Sequence, residues 1–119
     1  MFRRIWEYVK RCWASIKKWF VAVCEFFRHL MSFFKTPARM HKLLSDQRNL
    51  PVLVKACFEK EDYVELECLG IDTEQKIVVS CIYDKEMETV TDDIEVIRCD
   101  ALDADAEATF KGKNLVVLQ

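Results

Sequence analysis

Written in sevens from Phe2, residues 2–36 read FRRIWEY, VKRCWAS, IKKWFVA, VCEFFRH and LMSFFKT. Three places are apolar in every row. The first holds Phe2, Val9, Ile16, Val23 and Leu30, and the fourth holds Ile5, Cys12, Trp19, Phe26 and Phe33. The fifth, always aromatic, holds Trp6, Trp13, Phe20, Phe27 and Phe34. No Gly or Pro interrupts the segment, so this period predicts one continuous helix of about 35 residues over 1–36. Thr36-Pro37 reads as an N-cap followed by a first-turn proline. That pair ends the long helix and starts a short second helix or connector over 37–49, through about Arg48, with Met40, Leu43 and Leu44 turned inward.

A two-stranded coiled coil wants charges flanking its seam. Here one flank is aromatic throughout and the other is Tyr8, Ser15, Ala22, His29 and Thr36. Placed at about 100° per residue, the segment shows an apolar arc of roughly 180°, interrupted only by Ser15 at its edge. Lys10, Lys17, Arg28 and Lys35 line one border. This suits a straight helix lying on a broad surface. Such a helix is about 50 Å long, against roughly 28 Å for a compact body of about 70 residues. The apolar stripe is therefore expected to outrun its own chain and to need lipid or another protein to cover it.

From Pro51 the period changes to two. Val52, Val54, Ala56 and Phe58 alternate, as do Val64, Leu66 and Cys68, then Ile77, Val79, Cys81 and Tyr83. Ile94–Cys99 and Leu115–Leu118 make two more strands, with a short Ala108-Thr109-Phe110 before the last. Close spacing with turn residues between predicts an acidic antiparallel β domain over 50–119. The fold class is α+β: a long N-terminal amphipathic helix and a short second helix, then a five- or six-stranded antiparallel meander or small barrel.

The net charge of −2 hides a division. Residues 2–36 carry eight Lys/Arg against Glu7 and Glu25, and the remainder carries ten against eighteen Asp/Glu. An acidic body repels phosphate, and the helix aromatics lie opposite most of its cations, so nucleic acid is not an expected partner. The longest uncharged apolar run, Trp19–Cys24, is far too short to span a bilayer as a helix. Charges break up the N-terminus, so no cleavable secretory signal is expected, and Cys12, Cys24, Cys57, Cys68, Cys81 and Cys99 read as reduced thiols of a cytoplasmic protein.

Catalytic and metal chemistry is sparse. Asp100, Asp103, Asp105 and Glu107 could outline a Ca²⁺ loop, but the glycine of an EF-hand turn is missing, and a solvated acidic connection is the expected reading. His29 and His41 read as border or surface residues. Cys24 and His29 lie about 140° apart on a helix, which rules out a nucleophile–base pair there. No phosphate loop, G-x-S-x-G or H-E-x-x-H occurs. The chain is expected to be non-enzymatic, with no cofactor, no metal and no small-molecule substrate.

The functional expectation is a peripheral membrane-associated protein. Phe2, Ile5, Trp6, Val9, Trp13, Ile16, Trp19, Phe20, Val23, Phe26, Phe27, Leu30, Phe33 and Phe34 would face the membrane or a partner. Arg3, Lys10, Lys17, Lys18, Arg28 and Lys35 would contact anionic lipid. The alternative is a homo-oligomeric assembly or scaffold protein that bundles through the same aromatic helix.

Overall fold

The first third of the chain is not one helix. In the computed structural model, which describes residues 1–55, 76–91 and 94–118, helix α1 stops at Arg11 (Phe2–Arg11). A single 3₁₀ turn (Trp13–Ser15) then leads into strand β1, Lys17–Cys24. A π-type turn (Phe26–Leu30) runs into α2 (Met31–Phe34), and α3 is Pro37–Ser45. Strands β2 (Asn49–Lys55), β3 (Lys76–Asp84), β4 (Thr89–Val90) and β5 (Glu95–Leu102) follow, then α4 (Ala104–Phe110) and β6 (Leu115–Val117).

The break has a physical cause. Trp19-Phe20-Val21-Ala22-Val23-Cys24 is a short run rich in aromatic and β-branched residues, which fit a pleated surface better than a helix. Such a run suits either a heptad or a buried strand, and period alone cannot separate them. β5 decides it by pairing in parallel with β1 from Lys17 opposite Glu95 to Cys24 opposite Leu102. The preceding turn is latched by Lys18, whose ammonium lies 4.7 Å from the Trp13 ring centroid and donates to the Trp13 carbonyl.

Among the described residues, six strands form one open mixed sheet in the order β1-β5-β3-β2-β6, with β4 paired to β3. β5–β3, β3–β2 and β2–β6 are antiparallel. The expected meander is thus replaced by a sheet whose N-terminal edge strand is parallel to its neighbour, and it does not close into a barrel. Central strand β3 is buried from Ile77 to Asp84, which explains its nearly unbroken apolar run.

Helices cover both faces. On one, Ile5 and Val9 of α1 pack with Val52, Val54, Ile77, Val79 and Val96. On the other, Leu30, Phe33, Phe34, Ala106 and Phe110 pack with Leu53, Val78, Ile82 and Ile97. Burying each large side chain is worth about 1.5–3 kcal/mol, so most of the stripe is stabilised by its own sheet. The longest dimension is 39 Å, shorter than the rod expected over 1–36.

Other expectations also change. α3 ends at Ser45, and Met40 and Leu44 point outward while Leu43 alone packs on the core. Ala108-Thr109-Phe110 is the end of α4 rather than a strand. The strand expected over Val64–Cys68 and the end of the first one, Ala56 and Phe58, lie outside the described residues.

Candidate interaction surface

β1 is the terminal strand of the sheet, and its outer edge pairs with nothing among the described residues. Trp19 is 48 % exposed, Phe20 51 % and Val23 47 %, and Phe27 in the following turn reaches 62 %. These side chains surround a row of unpaired backbone donors and acceptors. The opposite edge, β6, is only three residues long and half-buried.

Cations and two carboxylates frame the patch. Lys17 and Lys18 open the strand, with the Lys17 ammonium 5.2 Å from the Trp19 ring centroid. At the other end Glu25 pairs with Arg28 at 3.6 Å. The Glu25 backbone N–H donates to His29 Nδ1 at 2.8 Å, so the imidazole holds the start of the π-type turn. A groove of about 280 Å³ beside the strand is lined by Trp19, Phe20, Val21, Arg28, His29, Ser32, Glu95 and Ile97. A second cavity, about 350 Å³, lies between Tyr8, Cys12, Ile16, Lys17, Arg39 and Glu95. Glu95 borders both. Burial pushes its carboxyl above the usual range, opposed by the Arg39 and Lys17 cations and by a hydrogen bond from Trp19.

The sequence-predicted contact residues divide into three groups. Ile5, Val9, Ile16, Leu30, Phe33 and Phe34 are core. Phe2, Trp6, Trp13 and Phe26 are half-buried against it. Only Trp19, Phe20, Val23 and Phe27 of that set are exposed. Among the cations, Arg3, Lys17, Arg28 and Lys35 are exposed and Lys10 and Lys18 half-buried. The structure brings Lys17, Lys18 and Arg28 to the patch and leaves Arg3 and Lys10 on α1.

Several other chemistry-bearing groups serve the fold. Cys24 and Cys99 are buried thiols joined by a hydrogen bond, and that bond and burial push the Cys24 thiol well up. Burial raises Cys81 to about 12. Cys12 is a free thiol, and Cys57 and Cys68 lie outside the described residues. The acidic run after β5 is not a loop: Asp103 caps α4 by accepting from the Ala106 N–H at 2.8 Å. Among the described residues no three His, Cys, Asp or Glu side chains gather as a metal-ligand set, and no helix is long and apolar enough to cross a membrane. Glu25, Glu95 and His29 were not legible as parts of a surface, because their roles depend on where β5 and the turn lie.

No protein-family description, curated protein or solved structure matches this chain.

Proposed function

We propose that this is a non-enzymatic association protein whose working surface is the β1 edge together with Phe27. The observation that carries the reading is the long edge strand β1, whose outer side has no partner among the described residues and is flanked by exposed Trp19, Phe20 and Val23. Edge backbone groups need hydrogen-bond partners, which an extended polypeptide supplies and hydrocarbon does not. A polypeptide partner is therefore favoured over lipid, and homo-oligomeric assembly moves from a helix bundle to strand addition. The buried thiols, the capping Asp103 and the turn-bound His29 are occupied structurally, which supports a role without chemistry at these groups.

An anionic membrane surface is the second reading. It is supported by Trp19, Phe20 and Phe27 beside Lys17, Lys18 and Arg28, amphipathic rings with cations at headgroup reach. No long lipid-facing helix supports it, because α1 ends at Arg11 and residues 17–24 are strand.

The test is sedimentation velocity over a concentration series, with and without anionic vesicles, on wild type and on Phe20→Glu and Phe27→Glu. Association of the wild type that falls at least tenfold in both variants, with unchanged circular dichroism, supports the surface. Self-association without vesicles favours the polypeptide reading, and binding only to vesicles favours the membrane. Association of equal strength in all three proteins overturns the proposal.

A further inference from the structure

We propose that the occupant of the β1 edge is a second copy of this chain, paired antiparallel about a two-fold axis at Val21. This rests on the association reading above and names its partner. In an antiparallel ladder, adjacent residue pairs alternate between hydrogen-bonded and non-hydrogen-bonded types. A two-fold axis can therefore pass only where a residue faces itself, never between two residues. The midpoint of Lys17 to Glu25 is Val21.

That register makes the strand complementary to itself. Lys17 faces Glu25 of the second copy, Trp19 faces Val23, and Phe20 faces Ala22. Each charged end thus meets the opposite sign, and each large ring meets a smaller side chain, the cross-strand combinations that stabilise a ladder. A shift of the axis to Phe20 or Ala22 removes the Lys17–Glu25 match. Lys residues on an edge strand usually discourage pairing. Here both occupy the first two positions and Trp19–Val23 carries no charge, so Lys17 selects a register without blocking the edge, while the Lys18 ammonium is held on Trp13. Trp19, Phe20 and Phe27 are each about half exposed, and a buried aromatic contributes 150–250 Å². Three half-exposed rings give very roughly 600 Å² for two copies, and the paired backbones bring the total towards the ~1,000 Å² expected of a specific interface. The pairing uses the β1 edge of each copy about a two-fold axis, so this contact closes at the dimer.

The experiment is sedimentation velocity on the full chain with Lys17→Glu, Glu25→Lys, their equimolar mixture, and the double variant carrying both changes. Either single reversal places like charges opposite each other twice per dimer and is expected to weaken dimerisation about tenfold or more. The mixture pairs Glu at 17 of one chain with native Glu25's replacement in the other, and its second contact remains Lys17 with Glu25. The mixture and the double variant are both expected to recover the wild-type dimer. Circular dichroism and thermal midpoints of all four proteins verify the fold. A monomeric wild type overturns the self-pairing while leaving the membrane arm of the surface reading to the vesicle measurement. A dimer that Phe20→Glu abolishes but charge exchange does not rescue overturns the Val21 register and leaves the surface reading standing. A dimer insensitive to both sets of changes overturns the two together.

Discussion

The backbone N–H of Phe26 donates to both carboxylate oxygens of Asp103, at 3.2 Å each, across 77 positions of sequence. The same carboxylate caps α4, and the Asp103 N–H donates to the Cys24 carbonyl at 3.0 Å. One side chain thereby joins the end of β1 to the start of the last helix, holding the turn that carries Phe27.

Asp103→Ala is expected to lose about 2–3 kcal/mol of unfolding free energy, from the missing cap and an unpaired N–H at Phe26. Asp103→Asn keeps an acceptor and is expected to lose less. Urea unfolding of the three proteins measures the difference; an alanine variant as stable as wild type would remove the clamp.

Asp84 closes the turn after β3. Its Oδ1 accepts from the Met87 and Glu86 N–H groups at 3.0 and 2.9 Å, and Arg48 Nε lies 3.3 Å from Oδ2. The Met87 bond foremost, with help from Glu86, Arg48 and Lys42, holds the carboxyl below its ordinary value against the opposing effect of burial. A depressed native value means the stabilisation is complete above the unfolded-state pKa of about 3.9 and disappears as pH falls through the lower native one. Thermal melts from pH 7 to pH 2 are expected to show a shallower acid loss in Asp84→Asn than in wild type.

Val9 and Phe20 both belong to the apolar stripe of the heptad, at its first and fifth places, yet Val9 is fully buried and Phe20 half exposed. Val9→Asp leaves a charge in the core and is expected to unfold the domain at room temperature. Phe20→Asp is expected to change stability by less than about 1 kcal/mol and to act on association. Circular dichroism separates the outcomes, and equal effects on stability would contradict the burial of Val9 and the exposure of Phe20.

Ser80 is fully buried in β3, and its hydroxyl finds no hydrogen-bond partner among the described residues. Removing it relieves a desolvated polar group, so Ser80→Ala is expected to raise stability by about 1 kcal/mol in chemical denaturation. A loss of similar size would show that the hydroxyl is satisfied in solution.

Local patterning was enough to place strands β2, β3, β5 and β6, read from Val52–Val54, Ile77–Tyr83, Ile94–Cys99 and Leu115–Leu118. It also determined the Thr36-Pro37 start of α3 and the α+β class. Local propensity and period suffice there because each segment has one plausible geometry. Residues 17–24 had two: the same aromatic and β-branched run satisfies a helical seven and a parallel strand. Only β5, more than seventy positions away, supplies the hydrogen bonds that choose between them, and no local signal in 1–36 contains it. The likewise nonlocal Asp103 contact turned an expected acidic loop into a cap. Once β1 joined the sheet, Ile5 and Val9 became core. Tertiary structure thus left Trp19, Phe20, Val23 and Phe27 outside, because an edge strand has one neighbour and a central strand has two.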